Sequence, residues 1–156
     1  VSNLAALQKL TEAGYGFYRN TARQREDDLF VRARAADAVG RAAARVAEAA
    51  QAARRAVPPA TREQPFADPA VMAHIAQLKA LQARLGALET RLRGPAALPD
   101  RDFASVRASA AHCDRLVHLD AALVAAAEAP DVEHNLDAFE AVLDERAALA
   151  DWNPKR

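Results

Sequence analysis

Cysteine and aromatic residues are scarce in this chain of 156 residues, and long apolar runs are missing. Each shortage excludes something. A single cysteine, Cys113, rules out an internal disulfide framework and any metal site built on several thiolates. No stretch of 18 apolar residues and no signal-peptide pattern occurs, so no membrane span is expected and the cytoplasm is the expected compartment. No phosphate-cradling loop is present either, because Gly14-Tyr15-Gly16 lacks the strand and the third glycine such a loop needs. The four histidines, His74, His112, His118 and His134, form no His-x-x-x-His pair, and Glu-x-x-His and Glu-x-x-Glu are missing. With them go the usual helical signatures of zinc, di-iron and magnesium hydrolase sites.

Alanine is the commonest residue, and half the chain is apolar. Alanine is the best helix former but buries little area, so leucines must hold such helices together. Arginine far outnumbers lysine, a codon bias typical of bacterial genomes rich in G and C. The chain opens Val-Ser-Asn without methionine, as a trimmed or partial chain would.

Periodicity predicts a single helical domain with helices at about 3–13, 17–57, 69–93, 101–129 and 131–150. Ser2-Asn3 caps the first, which carries Leu4, Leu7 and Leu10. Thr21-Ala22-Arg23-Gln24 reads as a capping box, favouring a break after Gly14 and Gly16. From there Ala22, Leu29, Ala36, Ala43, Ala50 and Val57 fall seven apart, with Val39, Val46 and Ala53 between them. This is an a/d seam of small residues, and Pro58-Pro59 ends it. Asp68-Pro69 starts the next helix as cap and first-turn proline. Its seam is Val71, Leu78, Leu85 and Leu92, with His74, Leu81 and Leu88 interleaved, and Gly94-Pro95 stops it. Two apolar stripes follow, Phe103-Val106-Ala110-Cys113-Val117 and Leu116-Leu119-Leu123, on a helix expected to touch two neighbours. Asp131 is expected to cap the last helix, whose stripe is Val132, Leu136, Phe139 and Leu143.

Short connections between long helices predict an all-α, antiparallel up-and-down helical bundle with long coiled-coil-like helices. Alanines of the first long helix should nest against leucines of the second, large opposite small. Because the first long helix outruns the second, its N-terminal end from Thr21 to Arg34 must pack on the C-terminal helices, on the Leu4–Leu10 segment, or on another chain. That mismatch points to a homo-oligomer.

Charge sums to zero but is unevenly spread. Residues 17–57 hold nine arginines against five acids, and residues 100–156 hold six bases against twelve acids. Such halves favour docking on each other or on a second copy. Arg34, Arg41 and Arg45 share one helix face, which would suit a phosphate backbone or an acidic partner such as Asp137, Glu140, Asp144 and Glu145. No aromatic lies among these arginines to stack on bases. Tyr15, Phe17 and Tyr18 cluster beside two glycines, where they would anchor a partner or close a bundle end. Asp114 with His118, and His134 with Asp137, are the one set with metal-ligand spacing. Cys113 lies on an apolar stripe and is expected to be a buried, inert thiol.

The expectation is a non-enzymatic interaction or scaffold protein, without cofactor or catalytic residues. It would bind a protein partner through Tyr15, Phe17, Tyr18, Arg34, Arg41 and Arg45. Two alternatives stand beside it: an arginine-mediated binder of nucleic acid or anions, and a bundle holding a small ligand or metal.

Overall fold

A computed structural model describes residues 18, 24–94 and 110–150. The helix expected over 3–13, the aromatics Tyr15 and Phe17, and positions 101–109 lie outside these residues. Four α-helices are described: α1 (Gln24–Arg55), α2 (Pro69–Arg93), α3 (Ala110–Glu128) and α4 (Leu136–Ala150). A 3-10 turn (Val132–His134) joins the last two. There is no strand among the described residues, and the helices pack as an all-α bundle.

Local chemistry sets the helix ends. α1 carries Glu26 and Asp27 in its first turn and Arg54 and Arg55 in its last, each sign matched to the helix dipole. Asp68 caps α2 by accepting the Ala70 N–H at 2.8 Å, and Pro69 occupies the first turn. The segment expected as one helix from residue 131 divides. Asp131 makes no side-chain cap; instead its carboxylate accepts from the Asn135 amide at 2.9 Å, closing the 3-10 turn before α4 begins at Leu136. Val132, at 1% exposure, is the apolar pin of that turn.

Ion pairs report the direction of each neighbour. Arg93 at the end of α2 meets Asp37 at 2.7 Å, and Glu89 one turn earlier lies against Gly40 further along α1, so these two run antiparallel. Arg34 meets Glu128 and Arg45 meets Glu133, so α3 runs parallel to α1. Leu149 packs with Cys113 and Leu116 in the first half of α3, and Leu136 packs with Leu123 and Ala127 in its second half, so α4 returns antiparallel to α3. The helices thus alternate up and down, with α1 shared between α2 on one side and α3 on the other.

Small nests against large in the main core. Ala35, Ala36, Ala38, Val39, Ala42 and Val46 of α1 bury with Leu85, Leu88 and Leu92 of α2. Leu123, Ala127, Val132, Leu136, Phe139 and Leu143 complete the same cluster. The expected seam fails at its outer positions. Leu29 is 45% exposed, Val71 is 36% exposed, and His74 is also exposed. The buried face of α1 centres on Asp28, Arg32, Ala35, Val39, Ala42 and Val46, with Ala36 at its edge, so Leu29, seven residues before Ala36, falls outside it; on α2 Ile75 takes the inward place.

The overhang of α1 is covered by the chain itself. Val31 and Tyr18 pack with Cys113, Leu116 and Val124 in a second cluster. The start of α1 thus lies on the C-terminal helices, and the length mismatch no longer argues for another chain. The opposite end stands alone. Between Val46 and Leu85 the only buried residues are Ala50 and Ile75, so the tip of the α1–α2 hairpin is an arm two helices thick. Its α1 portion, 47–55, extends about 14 Å at 1.5 Å per residue.

Leu85 is fully buried, so Leu85→Ala should cost about 2–5 kcal/mol in urea unfolding. Leu29→Ala should stay within about 0.5 kcal/mol, since that side chain is half in water. Equal costs at the two positions would mean that the register of α1 is wrong.

Candidate functional site

Two polar regions stand out, one sealed and one open. The sealed region gathers charges that occupy core positions of their helices. Arg146 of α4 donates from Nε to Asp120 Oδ1 at 2.5 Å and from Nη2 to Asp28 Oδ1 at 2.6 Å. The same Nη2 reaches the Tyr18 hydroxyl at 3.2 Å, and that hydroxyl donates to Asp120 Oδ2 at 2.5 Å. Arg32 lies 3.5 Å from the second oxygen of Asp28 and donates to the carbonyls of Arg91 and Gly94 at 3.2 and 2.7 Å. Asp27 accepts the backbone N–H of Tyr18 at 2.9 Å. All six of these side chains are buried.

Burial pushes the Tyr18 phenol well above its ordinary value of 10.0, and the Asp120 carboxylate adds to the push. Burial also raises the Asp120 carboxyl, against the pull of Arg146. At Arg146 burial works against the charge, but Asp120, Tyr18 and Asp28 outweigh it, so the guanidinium holds its proton firmly. A phenol that keeps its proton is a hydrogen-bond donor here, neither base nor nucleophile. With every member buried, this cluster ties α1, α3 and α4 to one another.

The open region is the arginine face of α1. Arg34 Nε lies 3.4 Å from Glu128, and Arg45 lies 3.6 Å from Glu133. Arg41 is exposed and meets no acid among the described residues. A cleft of about 410 Å³ runs between this face and the end of α3, lined by Ala38, Arg41, Arg45, Ala127, Glu128, Ala129 and Pro130. The acids expected to meet this face are engaged elsewhere. Asp137 and Glu140 hold Arg84, Asp144 holds Arg91, and Glu145 holds Arg115. The last helix thus draws on arginines of α2 and α3 instead of α1. Rotation explains the change: the acidic side of α4 faces Arg84 and Arg91 of α2 and Arg115 of α3, while α4 meets α1 only with its inward face, through Arg146 and Asp28.

Tyr18, considered from sequence as a partner anchor, is 1% exposed. Its ring fills the second core cluster and its hydroxyl is held inside the charge network, so it offers no surface to a partner. Asp114, His118, His134 and Asp137 are each exposed, and among the described residues no group of three or more metal-ligating side chains converges. Cys113 is buried, its thiol 3.9 Å from the Tyr18 carbonyl. No helix among the described residues is long and apolar enough to cross a membrane. Comparison with known protein families, curated proteins and solved structures finds no match.

The charge cluster escaped the sequence reading, yet it left a signal. Asp120 interrupts the stripe Leu116-Leu119-Leu123, and Arg146 follows Phe139 and Leu143 at stripe spacing. Asp28 and Arg32 extend the row Ala35-Val39-Ala42-Val46 backward. Charges at core positions of three helices call for each other.

Removing one member of this network should be expensive. Arg146→Met leaves Asp28 and Asp120 facing each other in a dry site and should cost about 3–5 kcal/mol. Tyr18→Phe should cost about 1–3 kcal/mol, and the double variant should cost less than the two losses added. Additive losses would separate Tyr18 from the cluster. In a Tyr15→Phe background Tyr18 is the only phenol left. Because its folded value is raised, its contribution to stability is whole below pH 10 and lost as pH climbs beyond. Tyrosinate absorbance at 295 nm should therefore rise together with loss of helicity. Ionisation near pH 10 in a fully helical protein would refute the burial.

Proposed function

We propose that this chain is a non-enzymatic helical interaction protein, cytoplasmic and bacterial, that binds a second copy of itself through its projecting arm. One observation carries the reading: Phe66 is 83% exposed at the tip of the α1–α2 hairpin, beside Val71 and Met72 at 36% and 49%. Three large apolar side chains at the end of an arm lose water only when something else covers them.

Charge supports a second copy as the cover. Residues 45–79 hold five bases against three acids, and residues 110–150 hold two bases against nine acids. Asp137, Asp144 and Glu145 already pair within the chain but stay 92%, 65% and 52% exposed, so they can exchange those partners for bases on the arm of a second copy. A two-fold arrangement satisfies both contacts at once and closes. The aromatics Tyr15 and Phe17 lie outside the described residues and add nothing to this argument.

Light scattering across a concentration range should show mass rising from one copy to two. Phe66→Ser should weaken that association at least about tenfold while leaving helicity and unfolding unchanged. A single-copy mass at every concentration would refute self-association.

A further inference from the structure

We propose that the cleft between α1 and the end of α3 binds a small oxyanion, of the phosphate or carboxylate class, between Arg41 and Arg45. The two side chains are one helical turn apart and line the same cleft. They differ from other arginines of the bundle. Arg91 and Arg93 make ionic hydrogen bonds of 2.5–3.0 Å, Arg84 is forked onto Glu140, and Arg146 is saturated by two aspartates. Around the cleft the contacts are loose. Arg41 meets no acid among the described residues, and Arg45 lies 3.6 Å from Glu133 without a hydrogen bond. The Glu133 Oε2 atom is buried and makes no hydrogen bond, and neither does Arg34 Nε, 3.4 Å from Glu128. Two guanidinium groups thus line the cleft against one carboxylate, that of Glu128, which also faces Arg34, an excess of positive charge among the lining residues.

An oxyanion meets that arrangement with what it lacks. Its oxygens accept from two planar forks at once, which a single glutamate at 3.6 Å does not do. The volume, about 410 Å³, is in the range of small-molecule sites. Ala38, Ala127 and Ala129 supply short apolar walls that leave room for a few carbons beside the charged end. Glu128 in the lining repels a polyanion's further charges, so a compact anion fits better than a nucleic acid strand. This reading is independent of the arm and of self-association.

The test is titration of the whole chain with inorganic phosphate and, separately, succinate, at constant ionic strength set with sodium chloride. Calorimetry gives the affinity and amide chemical shifts locate the site. Saturable binding that moves the amides of Ala38, Arg41 and Ala127 is expected, and whichever anion binds more tightly names the source. Arg41→Ala should weaken binding at least about tenfold, and Arg41→Lys should not restore it, because the planar fork is lost. Arg54→Ala, on the arm, should leave it unchanged. The proposal is overturned if neither anion binds beyond chloride, or if Arg41→Ala binds as well as the original chain.

Discussion

Arg146 is the tie on which the arrangement of this bundle rests. One guanidinium reaches Asp28 on α1 and Asp120 on α3 from its own place on α4, with the Tyr18 hydroxyl beside it. Apolar faces made of alanine and leucine tolerate sliding, because one methyl group resembles the next. A buried charge does not: displaced by one residue, it faces hydrocarbon and loses several kcal/mol of solvation. The net energy of such a network is modest, since desolvation consumes much of the attraction. Its effect is on register, selecting one stagger of α3 and α4 against α1 from many of similar apolar contact.

That selection places both candidate surfaces. With Arg146 fixing the start of α1 against the C-terminal helices, the face carrying Arg34, Arg41 and Arg45 is brought against the end of α3, and the cleft opens there. The same stagger leaves the far end of α1 with α2 as its sole partner, so the hairpin projects as an arm. The arm and the cleft are thus two consequences of one sealed contact at the opposite end of the helix.

Much of the fold is legible in the amino-acid sequence. The α2 limits, Pro69 and Arg93, follow from Asp68-Pro69 and Gly94-Pro95, which act within a turn of themselves. Nesting of Ala36, Val39 and Val46 on Leu85, Leu88 and Leu92 follows from spacing alone. The outer seam was misread because the row through Leu29 and Ala36 runs along the edge of a face centred on Ala35, Val39 and Ala42, and only the opposing helices show which row is central. Of the candidate site, the arginine face was legible, because residues at seven and four share a side of any helix. Its partners were not, since they depend on which helix lies opposite.

Sequence by itself determined the limits of α2 and that one long helix is faced with small residues, because capping, propensity and periodicity act over a few neighbouring residues. Only the tertiary structure decided which charges are buried together and which arginines remain open. Asp28 and Arg146 are 118 residues apart. Whether they meet depends on the rotation and stagger of three helices, quantities set by packing over the whole bundle and written in no single segment.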